Sequence, residues 1–201
     1  MRILFIILFF PLVAFSTIVL VENFFNPNPF PPKGWSIHYE GDAQTNMWYW
    51  RDTGQIGNGY ATGEMHCTIP DEYGIADLNS AMFNLTQNGE CDIRFLNRSD
   101  LSPYLWMVSA DVILMEGEVT IASWPIPNLG EVSTWQLVDL SFSPIPTTSP
   151  NYYVTFRITG QSQPTYGCWI SIDIDDVVVE DIPTTLKVEQ ESVGRIKSSF
   201  Y

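Results

Sequence analysis

Three acids, Asp173, Asp175 and Asp176, interrupt an otherwise apolar run from Ile170 to Val179, and carboxylates so placed can hold a cation or accept buried hydrogen bonds. If one strand face takes every second residue, Ile170, Ile172, Ile174 and Val178 share a face with Asp176. Ser171, Asp173 and Asp175 then point the other way. An ionised carboxylate on an apolar face costs several kcal/mol unless a cation or several donors compensate it. Asp176 therefore needs a dedicated partner, or the strand shifts register at a bulge.

Other reactive side chains are sparse. The two histidines, His38 and His66, fall in no nucleophile or zinc motif, and no Gly-x-Ser-x-Gly, phosphate loop or dinucleotide fingerprint is present. Glu64, Asp71 and Glu72 qualify as hydrolytic carboxylates by residue type alone, as pairs in any acidic protein would. The sequence thus points away from an enzyme. Seven Trp and nine Tyr are more informative, because rings exposed on a rigid sheet stack on sugars or anchor protein contacts. In Trp48-Tyr49-Trp50-Arg51, alternation sends both Trp inward and Tyr49 and Arg51 outward. Trp35, Trp106, Trp135 and Trp169 read as packing residues. Trp124, in Ser123-Trp124-Pro125-Ile126-Pro127, is expected in a loop, and it and Tyr166 are the expected ligand contacts.

The elements that must position these groups are short β-branched and aromatic segments separated by Gly, Pro, Asn and Asp, with no sustained helical stripe. That pattern predicts an all-β sandwich. Strands are expected at 18–21, 34–38, 47–51, 61–67, 79–84, 91–97, 106–113, 118–122, 135–140, 152–159 and 168–179. Val154, Phe156 and Ile158 should face the core with Thr155 and Arg157 outward, and Val119 and Ile121 should point inward. The Pro-rich stretch 26–33 belongs in a loop over the sandwich edge. Val193, Ile196 and Phe200 share a helical face, so a short C-terminal helix is an expectation for 191–201, with a frayed tail as its alternative.

Residues 1–16 read as a signal peptide: Arg2 precedes the apolar run Ile3 to Ala14, and small residues stand at Ala14 and Ser16. A secreted or cell-surface protein follows, with domain boundaries of 1–16, 17–182 and 183–201. Retention of the segment as an anchor is the alternative, and the one route to a membrane. The full chain carries 9 Lys+Arg against 23 Asp+Glu, a formal charge of -14, which excludes nucleic acid as a natural partner. Cys67, Cys91 and Cys168 form no CxxC or zinc pattern; at most one pair among small buried hydrophobes is expected, its identity open. Glycosylation sequons stand at Asn84-Leu85-Thr86 and Asn97-Arg98-Ser99.

Several segments in order carry a resemblance: Glu22-Asn23-Phe24, Phe30-Pro31-Pro32-Lys33-Gly34-Trp35, Asn46-Met47-Trp48, Asp77 to Leu85, Val154-Thr155-Phe156-Arg157 and Ile174-Asp175-Asp176-Val177. Together they resemble the cleaved-adhesin or choice-of-anchor J domains of secreted bacterial proteins, relatives of the MAM domain. The resemblance implies a jelly-roll β-sandwich of two antiparallel sheets whose first and last strands are neighbours, with a structural calcium ion held by acids from both ends. Glu22, Asp175 and Asp176 become the metal ligands on that reading, with Asp42 or Asp173 as further oxygen donors. Phe25 stands where family members often place a second acid. The function expected is a non-catalytic binding module for adhesion or for recognition of a glycan or surface protein. The alternative is a subunit that self-associates into a surface layer or fibre.

Overall fold

The computed structural model describes residues 16–25, 29–43, 45–55, 58–67, 70–101, 108–130, 132–163, 165 and 167–184. Twelve strands run through them: β1 (Thr17–Glu22), β2 (Ser36–Gly41), β3 (Thr45–Gln55), β4 (Asn58–Cys67), β5 (Tyr73–Asn79), β6 (Phe83–Leu85), β7 (Glu90–Leu101), β8 (Val108–Glu116), β9 (Val119–Pro125), β10 (Val132–Phe142), β11 (Ser149–Gln161) and β12 (Cys168–Ile182). They form two antiparallel six-stranded sheets. The first has the order β10-β7-β12-β4-β3, with β1 also paired to β12; the second has the order β2-β5-β11-β8-β9, with β6 paired to β11. The result is the jelly-roll β-sandwich expected. The leader segment and the expected C-terminal helix lie outside the described residues, and no helix among those described is long and apolar enough to cross a membrane.

Alternation builds the core. Ile93, Phe95, Ile170, Ile172 and Ile174 of the first sheet and Leu78, Val112, Leu114, Val154, Phe156 and Ile158 of the second are fully or almost fully buried. The Phe95 and Phe156 rings meet edge to face with centroids 5.2 Å apart. Trp48 is buried and donates from Nε1 to the carbonyl of Ala76, 3.2 Å away, so one side chain joins the two sheets. Its ring has room because the residue opposite is Gly63; a Cβ there would meet the ring at 2.8 Å and Ile158 Cδ1 at 2.6 Å.

Two strand expectations need correction. The segment expected at 79–84 is broken at 80–82, and β5, which ends where that segment was to begin, was missed. Its inward positions are Gly74, Ala76 and Leu78, two of them too small to register as an apolar stripe. In β9 a register shift opposite Leu114 and Met115 breaks the expected alternation. Val119 is left 61% exposed, while Ile121 and Ala122 both pack on the core.

The acidic run in β12 resolves through a bulge. Pairing with β7 proceeds to Asp175 opposite Leu96 and resumes at Val178 opposite Arg94. Asp176 sits in the left-handed region at φ 49°, a conformation that Asp tolerates better than most residues. On the other flank of β12, β4 reaches Ile174 opposite Ala61, and β1 takes over with Glu22 opposite Val177. Parity flips at this junction: Ile170, Ile172 and Ile174 face the core before it, Val177 and Val179 after it. Asp176 is exposed, so its expected place on the apolar face gives way to the register shift.

Candidate functional site

The outer face of the first sheet carries a grouping of polar and aromatic side chains. Strand register sets side chains in rows: Tyr49, Thr62, Asp173 and Arg98 lie across β3, β4, β12 and β7, and Met47, Glu64, Ser171 and Asp100 form the next row. His66 and Trp169 oppose one another in the row beyond, and Tyr60 flanks the first row on its other side. Rows two residues apart are about 7 Å apart, so the stretch from Tyr60 to His66 covers roughly 20 Å.

Arg98 organises one end. Its guanidinium carbon lies 5.1 Å from the Tyr60 ring centroid and 4.9 Å from that of Trp135, while the two rings meet edge to face at 5.2 Å. Arg98 Nε donates to Asp173 Oδ2 at 2.9 Å and Nη2 donates to the Tyr60 hydroxyl at 2.8 Å. Asp173 also accepts from the Thr62 hydroxyl at 2.7 Å. Although it faces outward, Asp173 is only 6% exposed and Thr62 is fully buried. A carboxylate so enclosed is satisfied by charge-assisted bonds, and the cation holds two rings in a fixed geometry. Asp173, expected as a cation ligand or a solvated acid, is instead committed to Arg98 and Thr62.

Farther along, the Tyr49 hydroxyl donates to Glu64 Oε1 at 2.8 Å, and burial first, then that bond and the Glu64 charge, push the Tyr49 phenol up to about 12. It stays a donor throughout the physiological range. His66 and Trp169 stack edge to face at 5.8 Å. Trp135 and Trp169, read from sequence as packing residues, are half-buried members of this outer face. The signal was present: Trp169 has opposite parity to Ile170 and Ile172, and Trp135 opposite parity to Val138 and Leu140. Trp35 does pack in the core, and Trp106 lies outside the described residues.

The expected ligand contacts fare differently. Trp124 is not in a loop; it lies in β9 opposite Val112, half-buried and packed on the core, because the strand continues to Pro125. Tyr166 lies outside the described residues.

The acids at the strand junction form a second grouping. Glu22 Oε1 accepts the Phe24 amide at 2.7 Å, and Asp175 Oδ1 accepts the Asp176 amide at 2.9 Å. Burial raises the Asp175 carboxyl to about 6, against the help of the Asp176 amide and with added repulsion from the Asp176 and Glu22 charges. Burial also raises Glu22. Glu22 and Asp175 are thus close enough to repel. Among the described residues, no three His, Cys, Asp or Glu side chains are grouped to hold a metal. Asp42 is engaged elsewhere, its Oδ1 accepting the Tyr73 amide at 3.0 Å.

No protein-family model and no curated protein matches the chain. Among solved structures it is similar to a cyclase from Fischerella sp. TAU, with a TM-score of 0.51 and 12% identity over 82% of this chain and 96% of that one. It is also similar to a CBM4 structure (TM-score 0.47, 14% identity, 74% of this chain and 94% of the other). Another is TmCBM27, a carbohydrate-binding module described for specific mannan recognition (TM-score 0.45, 14% identity, 85% and 100%). At 12% identity, the likeness to the cyclase shows a shared β-sandwich fold.

Proposed function

We propose that this chain is a non-catalytic binding module, secreted or attached to a cell surface, that recognises a glycan on the outer face of the first sheet. The observation that carries the reading is the pair of half-buried rings Trp135 and Trp169 on one outer face, the first held by Arg98 and the second beside His66, with Tyr49 and Glu64 between them. Rings offer apolar faces to pyranose C–H groups, and fixed donors and acceptors beside them meet sugar hydroxyls. The rings are held by packing and charge before any ligand arrives, which lowers the ordering cost of binding. Glycan-array screening followed by calorimetry tests this: Trp135→Ala and Trp169→Ala should each weaken binding roughly tenfold or more with an unchanged fold. A blank array, or variants that bind like the parent, would sink the reading.

The reading includes a structural calcium ion at the strand junction. Glu22 and Asp175 repel one another at the junction, and a cation between them would relieve that repulsion. Calcium takes six to eight oxygens, so backbone carbonyls and water would complete the shell. The ion would neutralise the pair and tie β1 to β12. Millimolar calcium should raise the melting temperature relative to chelator; coincident transitions would remove the ion from the proposal.

A further inference from the structure

Cys67 ends β4, Cys168 begins β12, and the two are direct cross-strand partners. Both are buried, at 0% and 2% exposure. Their sulfurs crowd one point of the opposite sheet: a Cβ built on Gly160 of β11 would lie 3.0 Å from Cys168 Sγ and 3.4 Å from Cys67 Sγ. Each thiol shifts the ionisation of the other, as close neighbours do. Cys91 stands apart, because it opposes Asp181 near the far end of β12, roughly 40 Å along the strand from Cys168.

We infer that Cys67 and Cys168 are the site of a cross-strand disulfide that closes one end of the first sheet, with Cys91 left as the free thiol. Antiparallel partners place Cα atoms about 4.5–5.5 Å apart, within the range a disulfide spans. In the folded chain the Cys168 thiol is lowered to about 7 by its interaction with the Cys67 thiol and by the Cys67 and Gln161 amides, against the effect of burial, a difference that exists only once the strands are paired. With a low-molecular-weight disulfide such as oxidised glutathione as oxidant, one of the two cysteine thiolates attacks one sulfur and expels one glutathione thiolate. The other cysteine then loses its proton and displaces the second. Two protein thiols and one glutathione disulfide become one protein disulfide and two glutathione thiols. Burial places this exchange before the strands close, while the thiols are still reached by solvent.

The bond would sit one residue from the His66 and Trp169 rings and fix the rung that presents them. Its test does not depend on any ligand. The purified chain, refolded in a glutathione redox buffer, is denatured in guanidinium with N-ethylmaleimide and weighed. One adduct, on Cys91, with a peptide pair joining Cys67 to Cys168, is expected; reduction should lower the melting temperature by roughly 10 °C, since the bond closes a loop of about 100 residues. Cys91→Ala should keep the bond. Three adducts, or a bond that uses Cys91, would overturn the inference.

Discussion

Asp175 is the side chain with the clearest thermodynamic signature. Its carboxyl titrates at about 6 in the fold against an ordinary value of 3.8, so the favourable contribution of the protonated acid is complete below about pH 4 and lost as pH rises through 6. At pH 7 the ionised group opposes folding. Asp175→Asn keeps an acceptor for the Asp176 amide and removes the charge. In chelator at pH 7 the variant should be more stable by about 1–2 kcal/mol, allowing for screening of a half-exposed group, with no gain at pH 4. Calorimetry at the two pH values measures it, and a variant less stable at pH 7 would mean that the charge has a favourable partner. The acidity of this segment was evident in the sequence, whereas the commitment of Asp173 was not. Arg98 and Thr62 reach it from strands 75 and 111 residues away in the chain, and only strand register brings them there.

At the scale of elements, the central strands were readable wherever both faces differ in size and polarity. Val154, Phe156 and Ile158 in β11, and Trp48 in β3, point inward as alternation required. Thr155 and Arg157 face outward without being free in water: Thr155 is 3% exposed, and Arg157 grips Asp77 through two bonds of 2.8 Å. The failures came where inward residues are small or register shifts, as in β5 and β9. Gly63 shows how much such a small residue matters. Gly63→Ala would drive a Cβ into the Trp48 ring and Ile158, and the unfolding midpoint in urea should fall by the equivalent of about 2–3 kcal/mol. A midpoint within error of the parent would mean the sheets shift apart cheaply at this rung.

In the whole molecule, the two sheets differ in what their outer faces hold. The first gathers ring-bearing and hydrogen-bonding side chains across four adjacent strands, from β3 through β4 and β12 to β7. The chain as a whole carries 23 Asp+Glu against 9 Lys+Arg, and Arg98 is neutralised locally by Asp173, which suits a neutral ligand better than an anionic one. The sandwich class was legible because turn residues punctuate the chain at strand-length intervals. The outer face of the first sheet was only half legible, because parity assigns a residue to a side of a sheet but not to its neighbours. The bulge at Asp176 divides β12 into two segments phased independently. The leading one pairs with β4 and carries Asp173 and Trp169 of the outer face; the trailing one pairs with β1 and fastens that strand. Sequence change on one side of that hinge of parity leaves the inward residues of the other in place, so the outer face around Asp173 and Trp169 can vary without altering how β1 is held.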